Sequence, residues 1–306
     1  MAATGNAPIR LGRIGYLNVL PLHHPLETGV LTGDFELVSG PPAMLNMLMD
    51  QGRLDLSGCS CIEYARHPEK YLIVPDLAIG SRGPVQSVLL LCRNRPEDLD
   101  GQTILVSAQT HTSAALVDLL LKRHIGVVPR YRTGDATALL AAGERPEAIL
   151  CIGDEALNLR RHPDYPQRMD LGEAWRQWTG QPFIFGLWIA RREAVGKRLA
   201  EFQAGARLLI EAKKWGQANL AEISAVAAIN SALTEQEMRS YFDGLVYDLG
   251  AEELAGLKLF YTMLAEAGVI ASAPELAFLP LGECPPAPLA ASRIAHVLDE
   301  QVRCGQ

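Results

Sequence analysis

From Ile9 to Ile152, short apolar runs alternate with stretches of helical periodicity, and this alternation constrains the fold more than any other feature of the chain. The runs are Ile9–Ile14, Phe35–Val38, Leu54–Leu56, Tyr71–Val74, Val85–Cys92, Thr103–Val106 and Ala148–Ile152. Between them Ala43–Met49, Ser113–His124 and Ala136–Ala142 have helical spacing, the first of them entered through Pro41-Pro42. Such βα units predict mostly parallel sheets, and two α/β lobes fit the units better than one. Polar turns with proline suggest the boundaries: Arg93-Asn94-Arg95-Pro96 after one strand, and Gly180-Gln181-Pro182 before the strand Phe183–Ala190. The chain is expected to leave lobe one (1–92), build lobe two (93–186) and return to lobe one (187–306).

After Arg192 the pattern is helical only: Ala194–Trp215, Leu220–Ser231, Thr234–Leu245 and Ala251–Ala267. Thr234-Glu235-Gln236-Glu237 reads as a capping box, the hydroxyl answering a free amide three residues on. Cys284-Pro285-Pro286-Ala287-Pro288 reads as a linker to a last short helix. This helical region packs on lobe one or pairs subunits, and the sequence leaves both open.

Composition removes several classes of function. Lys plus Arg number 28 against 35 Asp plus Glu, a net charge of −7 that repels polyanions, so no nucleic acid partner is expected. No apolar run approaches the roughly 20 residues that span a bilayer. Even Val85–Cys92 lies between Arg82 and Arg93, so no membrane partner is expected either. Met1–Leu11 has no basic segment followed by an apolar one, which predicts a cytoplasmic location. The cysteines at 59, 61, 92, 151, 284 and 304 share no repeated CxxC spacing and are expected as reduced thiols. Cys59-Ser60-Cys61 lacks a second pair of thiols or histidines to complete a metal or redox site. Gly-rich phosphate loops, HExxH and GxSxG are missing, and Gly153-Asp154 lacks the neighbouring glycines of a dinucleotide turn.

What remains is a set of polar residues at predicted strand ends, where open α/β sheets hold their ligands. Asn18, after the first strand, either closes a turn or reaches a ligand, and Ser60 is either a helix cap or a contact. Ser81 and Ser87 bracket Gly83-Pro84; Ser87, in so apolar a strand, needs a partner, backbone or ligand. Thr112 and Ser113 open a helix, so they cap it, bind a carboxylate or phosphate, or do both. His111 beside them is solvated or a pocket base. Gly153-Asp154 offers a carboxylate at a strand end. Together they describe a cleft between two lobes for a small polar, anionic molecule, without choosing between binding and turnover.

The same segments resemble the menaquinone-biosynthesis family of the futalosine route, in particular its chorismate dehydratase branch. The resemblance rests on Ile14-Gly15-Tyr16-Leu17-Asn18-Val19-Leu20-Pro21-Leu22, Ile62-Glu63-Tyr64-Ala65 and the stretch from Ile79-Gly80-Ser81 through Gly83-Pro84-Val85 to Ser87-Val88-Leu89-Leu90. It continues in Ile152-Gly153-Asp154-Glu155-Ala156-Leu157, Asp170-Leu171-Gly172-Glu173-Ala174-Trp175 and Trp178-Thr179-Gly180-Gln181-Pro182-Phe183. Departures are Cys61 where the family has a second serine, and Arg82 and Gln86 in its Gly-Ser-Asp-Gly-Pro-Val-Gly-Ser stretch. Arg82 would add a cation near a dicarboxylate site.

The resemblance implies the two-lobed type 2 periplasmic-binding-protein fold, an α/β fold here followed by a helical C-terminal region. It implies dehydration of chorismate to 3-[(1-carboxyvinyl)oxy]benzoate, a lyase reaction that demands neither metal nor organic cofactor. The sister dihydroxynaphthoate synthase carries a histidine base in an Ile-His-Glu context, and here the strand ends Ile152-Gly153-Asp154. On this reading Asn18 and Ser87 orient the reacting carbons, and Thr112 and Ser113 hold a carboxylate. Ser60, Ser81 and Gly153 make further substrate contacts, and Asp154 is the leading protein carboxylate for acid–base work, with the enolpyruvyl carboxylate as an internal alternative. The competing class is a non-catalytic solute-binding protein for a small carboxylate, usually exported with a signal peptide. A ligand-sensing regulator domain is a third, but no helix-turn-helix or basic arm precedes Ile9.

Overall fold

The computed structural model describes residues 7–108, 110–229 and 231–282. The expected linker at Cys284–Pro288, with Cys284 and Cys304, lies outside the described residues. The chain opens with β1 (Ile9–Ile14), a 3-10 turn (Leu17–Val19), α1 (Leu20–Glu27), β2 (Phe35–Gly40), α2 (Pro42–Asp50), β3 (Leu56–Ser60), α3 (Cys61–Arg66) and β4 (Tyr71–Ser81). Next come β5 (Val88–Cys92), β6 (Thr103–Val106), α4 (His111–Leu119), β7 (Arg130–Thr133), α5 (Ala136–Ala141), β8 (Ala148–Ile152), α6 (Gly153–Leu159), β9 (Gln167–Asp170) and α7 (Leu171–Thr179). Then follow β10 (Phe183–Arg191), α8 (Arg192–Val195), α9 (Leu199–Ala218), α10 (Leu220–Ala228), α11 (Glu235–Gly244), β11 (Leu245–Val246) and α12 (Ala251–Glu266).

Two sheets result, one of six strands in the order β11-β4-β10-β3-β1-β2 and one of five in the order β7-β6-β8-β5-β9. They are mixed rather than mostly parallel. β1 runs parallel to β2 and β3, and β6 parallel to β7 and β8, as βα units require. β5 and β10 run antiparallel to their sheet neighbours. These are the strands through which the chain enters the second sheet and re-enters the first, so each arrives from the opposite direction. The crossings also differ from the sequence boundaries. β5 pairs with β8 and β9, so the outbound crossing lies at 82–87, ahead of Arg93–Pro96. The return is complete at Phe183, which pairs with Ser81, not at residue 187. Apolar periodicity marks a strand as buried; it carries no information about which sheet buries it.

Asp170 fixes the outbound crossing. Its carboxylate accepts from the amides of Val85 (3.0 Å) and Gln86 (2.7 Å) and from Gly172 (3.0 Å) and Glu173 (3.1 Å), so it caps α7 and pins the crossing together. Gln86 takes φ +61 there, the left-handed region in which the family's glycine fits without strain. The Asp170-Leu171-Gly172 motif thus has a structural reason.

The helical region packs on lobe one. Lys213 of α9 is buried and reaches the Asp76 carbonyl and Asp248 Oδ1, both at 2.7 Å. Tyr261 of α12 donates to the Cys61 carbonyl at 2.6 Å, and the Tyr64 hydroxyl bonds Glu275 O and Ala277 N. The Thr234–Glu237 capping box is reciprocal, at 3.2 and 2.9 Å. The predicted helix 194–215 is broken at Gly196–Arg198 into α8 and α9. Among the described residues no helix is long and apolar enough to cross a membrane.

Candidate active site

A cavity opens between the two sheets and takes in about 780 Å³, the open solvent at its mouth included. Lobe one contributes Tyr16 and Asn18 after β1, Gly58 to Ser60 at the end of β3, and Phe185 to Trp188 of β10. The other wall is Ser87 at the crossing, His111 to Ser113 at the start of α4, and Ile152-Gly153 at the end of β8. Strand ends and a helix start converge because βα units bring them to one edge of each sheet. Asn18, Ser60, Ser87, Thr112, Ser113 and Gly153 are therefore brought together from segments far apart in sequence.

Their side chains are not equivalent. Asn18 Oδ1 is buried with no hydrogen-bond partner, while its carbonyl accepts from Tyr247 at 3.0 Å. An unpaired buried acceptor costs about 1–3 kcal/mol, and a ligand donor would recover it. Ser87 Oγ accepts from the Tyr241 phenol at 3.0 Å, and its carbonyl accepts from Gly153 N at 2.7 Å. Ser60 stands at the N-cap of α3 without capping it. Its hydroxyl instead lies 2.6 Å from Thr112 Oγ1, which also accepts from Ile62 N at 3.2 Å, so this pair ties the lobes together. Thr110, not Thr112 or Ser113, is the N-cap of α4; Thr112 and Ser113 sit in its first turn, where backbone amides lack helical partners.

One expected substrate contact, Ser81, and the expected acid–base carboxylate, Asp154, lie elsewhere. Ser81 is fully buried beside Gly172, where a Cβ would overlap its hydroxyl, and it does not line the cavity. Asp154 turns its carboxylate out of the cavity to accept from Leu17 N at 3.1 Å, and lines a separate hollow with Leu17, Leu20 and Asn158. Burial pushes the Asp154 carboxyl above its ordinary range, with the Leu17 bond pulling the other way. The amide that opens the Leu17–Val19 turn needs an acceptor, and Asp154 reaches across from lobe two to supply it. Arg82 also points elsewhere: it pairs with Glu253 at 2.8 Å, a carboxylate 1% exposed at the start of α12, and adds no cation to the cavity.

Sequence reasoning missed Trp188, which lines the cavity with its buried Nε1 unpartnered. In the apolar run Phe183–Ala190 nothing distinguishes it from core. The ring of Tyr16 packs over Gly153, where φ is +56 and a Cβ would meet the ring at 3.2 Å. Burial, with Asp154 and Glu155 close by, pushes the Tyr16 phenol up to about 12. Cys59 and Cys61 are buried free thiols; burial raises both, Cys61 to about 12. Among the described residues no Asp, Glu, Lys or Arg lines the cavity. The arrangement can hold an anion through neutral donors and helix amides, and His111 is the imidazole on its wall.

A family model for menaquinone biosynthesis matches residues 9–266. The chain belongs to the menaquinone-biosynthesis family. The chorismate dehydratase of Thermus thermophilus is 31% identical over 269 residues, covering 83% of this chain and 94% of that protein. The 1,4-dihydroxy-6-naphtoate synthase of the same organism is 28% identical over 149 residues, 49% of this chain and 53% of that one. Among solved structures, a protein of Archaeoglobus fulgidus gives a TM-score of 0.71 at 19% identity, covering 87% of this chain and 100% of that one. The periplasmic aliphatic sulphonate binding protein of Escherichia coli gives 0.61 at 18%, covering 97% and 98%. The family member described here has the expected two-lobed, periplasmic-binding-protein-like α/β fold.

Proposed function

We propose that this chain removes water from chorismate to give 3-[(1-carboxyvinyl)oxy]benzoate, a hydro-lyase step in menaquinone biosynthesis. The observation that carries the reading is the makeup of the cavity: Asn18 and Ser87 on its two walls, neutral donors around them, and no carboxylate among the described residues that line it. The name of the Thermus thermophilus relative supports the substrate.

Chorismate has a ring carboxylate, a second carboxylate on its enolpyruvyl ether, and a hydroxyl beside the ether-bearing carbon. Loss of the proton at that carbon gives a dienolate extended into the ring carboxylate. Expulsion of the neighbouring hydroxyl then leaves an aromatic ring, and the proton and hydroxide leave as water. Ser113 and the first-turn amides of α4 hold one carboxylate, with Thr112 joining once its bond to Ser60 is shared. Asn18 and Ser87 orient the reacting carbons and stabilise the charge that develops. With Asp154 engaged by Leu17, the enolpyruvyl carboxylate is the base, placed by the fixed geometry of the bound ether. Closure of the lobes through Ser60 and Thr112 keeps water from weakening these bonds.

The resemblance implies a histidine base for the sister activity at the position where Gly153 stands. That position is left-handed and covered by the Tyr16 ring, so a side chain there would be strained. The test is to incubate purified protein with chorismate and follow the products by mass spectrometry. Loss of one water supports the reading; chorismate recovered intact at saturating binding would reduce the protein to a receptor.

A further inference from the structure

Ser87 lies on the cavity wall yet is only 2% exposed, and its surroundings decide which way its proton points. Behind it stands Tyr241 of α11, 1% exposed, whose phenol donates to Ser87 Oγ over 3.0 Å. Burial pushes the phenol well above its ordinary range, so it keeps its proton. A serine hydroxyl has one proton to give and lone pairs to receive. With Tyr241 donating, the Ser87 proton must go elsewhere, and the protein offers it the Val85 carbonyl at 3.4 Å. That is long for O–H···O, whose usual separation is about 2.7–2.8 Å. The backbone around it does not yield: Ser87 O accepts from Gly153 N, and the amides of Val85 and Gln86 are held by Asp170. Ser87 therefore has a firm donor at its back and a weak acceptor at its side.

We infer that Tyr241 is a positioning residue that acts through Ser87: its phenol donates to the Ser87 oxygen, so that Ser87 gives its own proton's hydrogen bond forward, to the substrate oxygen that gathers negative charge. The inference rests on the dehydratase reading for the identity of that oxygen, the departing hydroxyl or the ring carboxylate. It assigns a task to the helical C-terminal region, since the same stretch also supplies Tyr247, which holds the Asn18 carbonyl at 3.0 Å. Tyr241 does not line the cavity; its effect must pass through the serine, and that makes it separable from a packing role.

The experiment is a cycle of Tyr241→Phe in the wild-type and Ser87→Ala backgrounds, with kcat and KM for chorismate, affinity for the benzoate ether, and melting temperature. Tyr241→Phe is expected to lower kcat about tenfold while KM stays within about twofold, and to cost nothing further once Ser87 is alanine. Full activity in Tyr241→Phe, or an equal loss in both backgrounds, would overturn the inference. Should Tyr241→Phe fail to fold, 3-fluorotyrosine placed at 241 decides: a stronger donor of the same shape is expected to raise kcat, and an unchanged or lower kcat overturns the inference. A wild-type protein that leaves chorismate intact rejects the dehydratase reading alone. Affinity for the benzoate ether then serves as the readout, with weaker binding in Tyr241→Phe expected only where Ser87 is present.

Discussion

The wall of the cavity built on the six-stranded sheet and the wall built at the five-stranded sheet are finished differently. On the first, Asn18 Oδ1 and Trp188 Nε1 are buried and unpaired. On the second, Ser87 is bonded to Tyr241, Thr112 to Ile62 and Ser60, and Gly153 N to the Ser87 carbonyl. One wall leaves an acceptor and a donor for a ligand to satisfy, and the other uses its hydrogen bonds to hold geometry. Substitution of the unpaired groups on the first wall should therefore spare stability, and substitution of the bonded groups on the second should not.

The largest expected effect is at the start of α4. Ser113→Asp places a negative charge where the proposed function puts a substrate carboxylate, and affinity for the benzoate ether should fall more than about a hundredfold, while a carboxylate in the first turn favours the helix. Calorimetric titration with parallel melting reads both; retained affinity would remove Ser113 from the ligand. Next come Asn18→Ala and Ser87→Ala, each expected to lower kcat about ten- to a hundredfold, or about 1.5–3 kcal/mol for a hydrogen bond to developing charge. Their melting temperatures should diverge. Asn18→Ala removes an acceptor that has no partner, whereas Ser87→Ala leaves the buried Tyr241 phenol without its acceptor. Equal melting losses would erase the distinction between the walls.

Trp188→Phe is a smaller and sharper probe. It removes an unpaired donor and keeps most of the ring, so the free protein should melt at the wild-type temperature or above, while KM rises several-fold. Lower stability with unchanged KM would make Trp188 a core residue.

Away from the cavity, His23 of α1 tests how the six-stranded lobe responds to acid. Burial, and then the charge of Arg13, lower its pKa from 6.5 to about 3. Between those values the unfolded chain binds a proton that the folded chain does not. Its contribution to stability is therefore complete above pH 6.5 and declines as pH falls toward 3. His23→Leu should flatten that part of a denaturant-midpoint profile, and an unaltered slope would place the acid sensitivity on other groups.

Local pattern made much of this legible. Ile9–Ile14, Thr103–Val106 and Ala148–Ile152 are strands at the stated bounds, and the Thr234–Glu237 box caps α11, because each depends on residues close in sequence. The strand ends were readable as a cleft for the same reason. Partners distant in sequence were not: Arg82 meets Glu253, Asp154 meets Leu17, and Tyr241 meets Ser87 through tertiary packing alone. Trp188 and Tyr241 sit in segments whose periodicity reads as core, and burial without a partner is visible only when the neighbours are placed.

If chorismate loses water in this cavity without a protein carboxylate as base, as proposed, then Asp154→Asn must keep turning it over. Asparagine keeps an oxygen for the Leu17 amide and so preserves the Asn18 turn, but it cannot take a proton as a carboxylate does. A general base contributes about 10²–10⁴-fold. The expected result is a kcat for chorismate within about threefold of the wild type; a loss of a hundredfold or more in a protein that melts normally would contradict the account and return Asp154 to the chemistry.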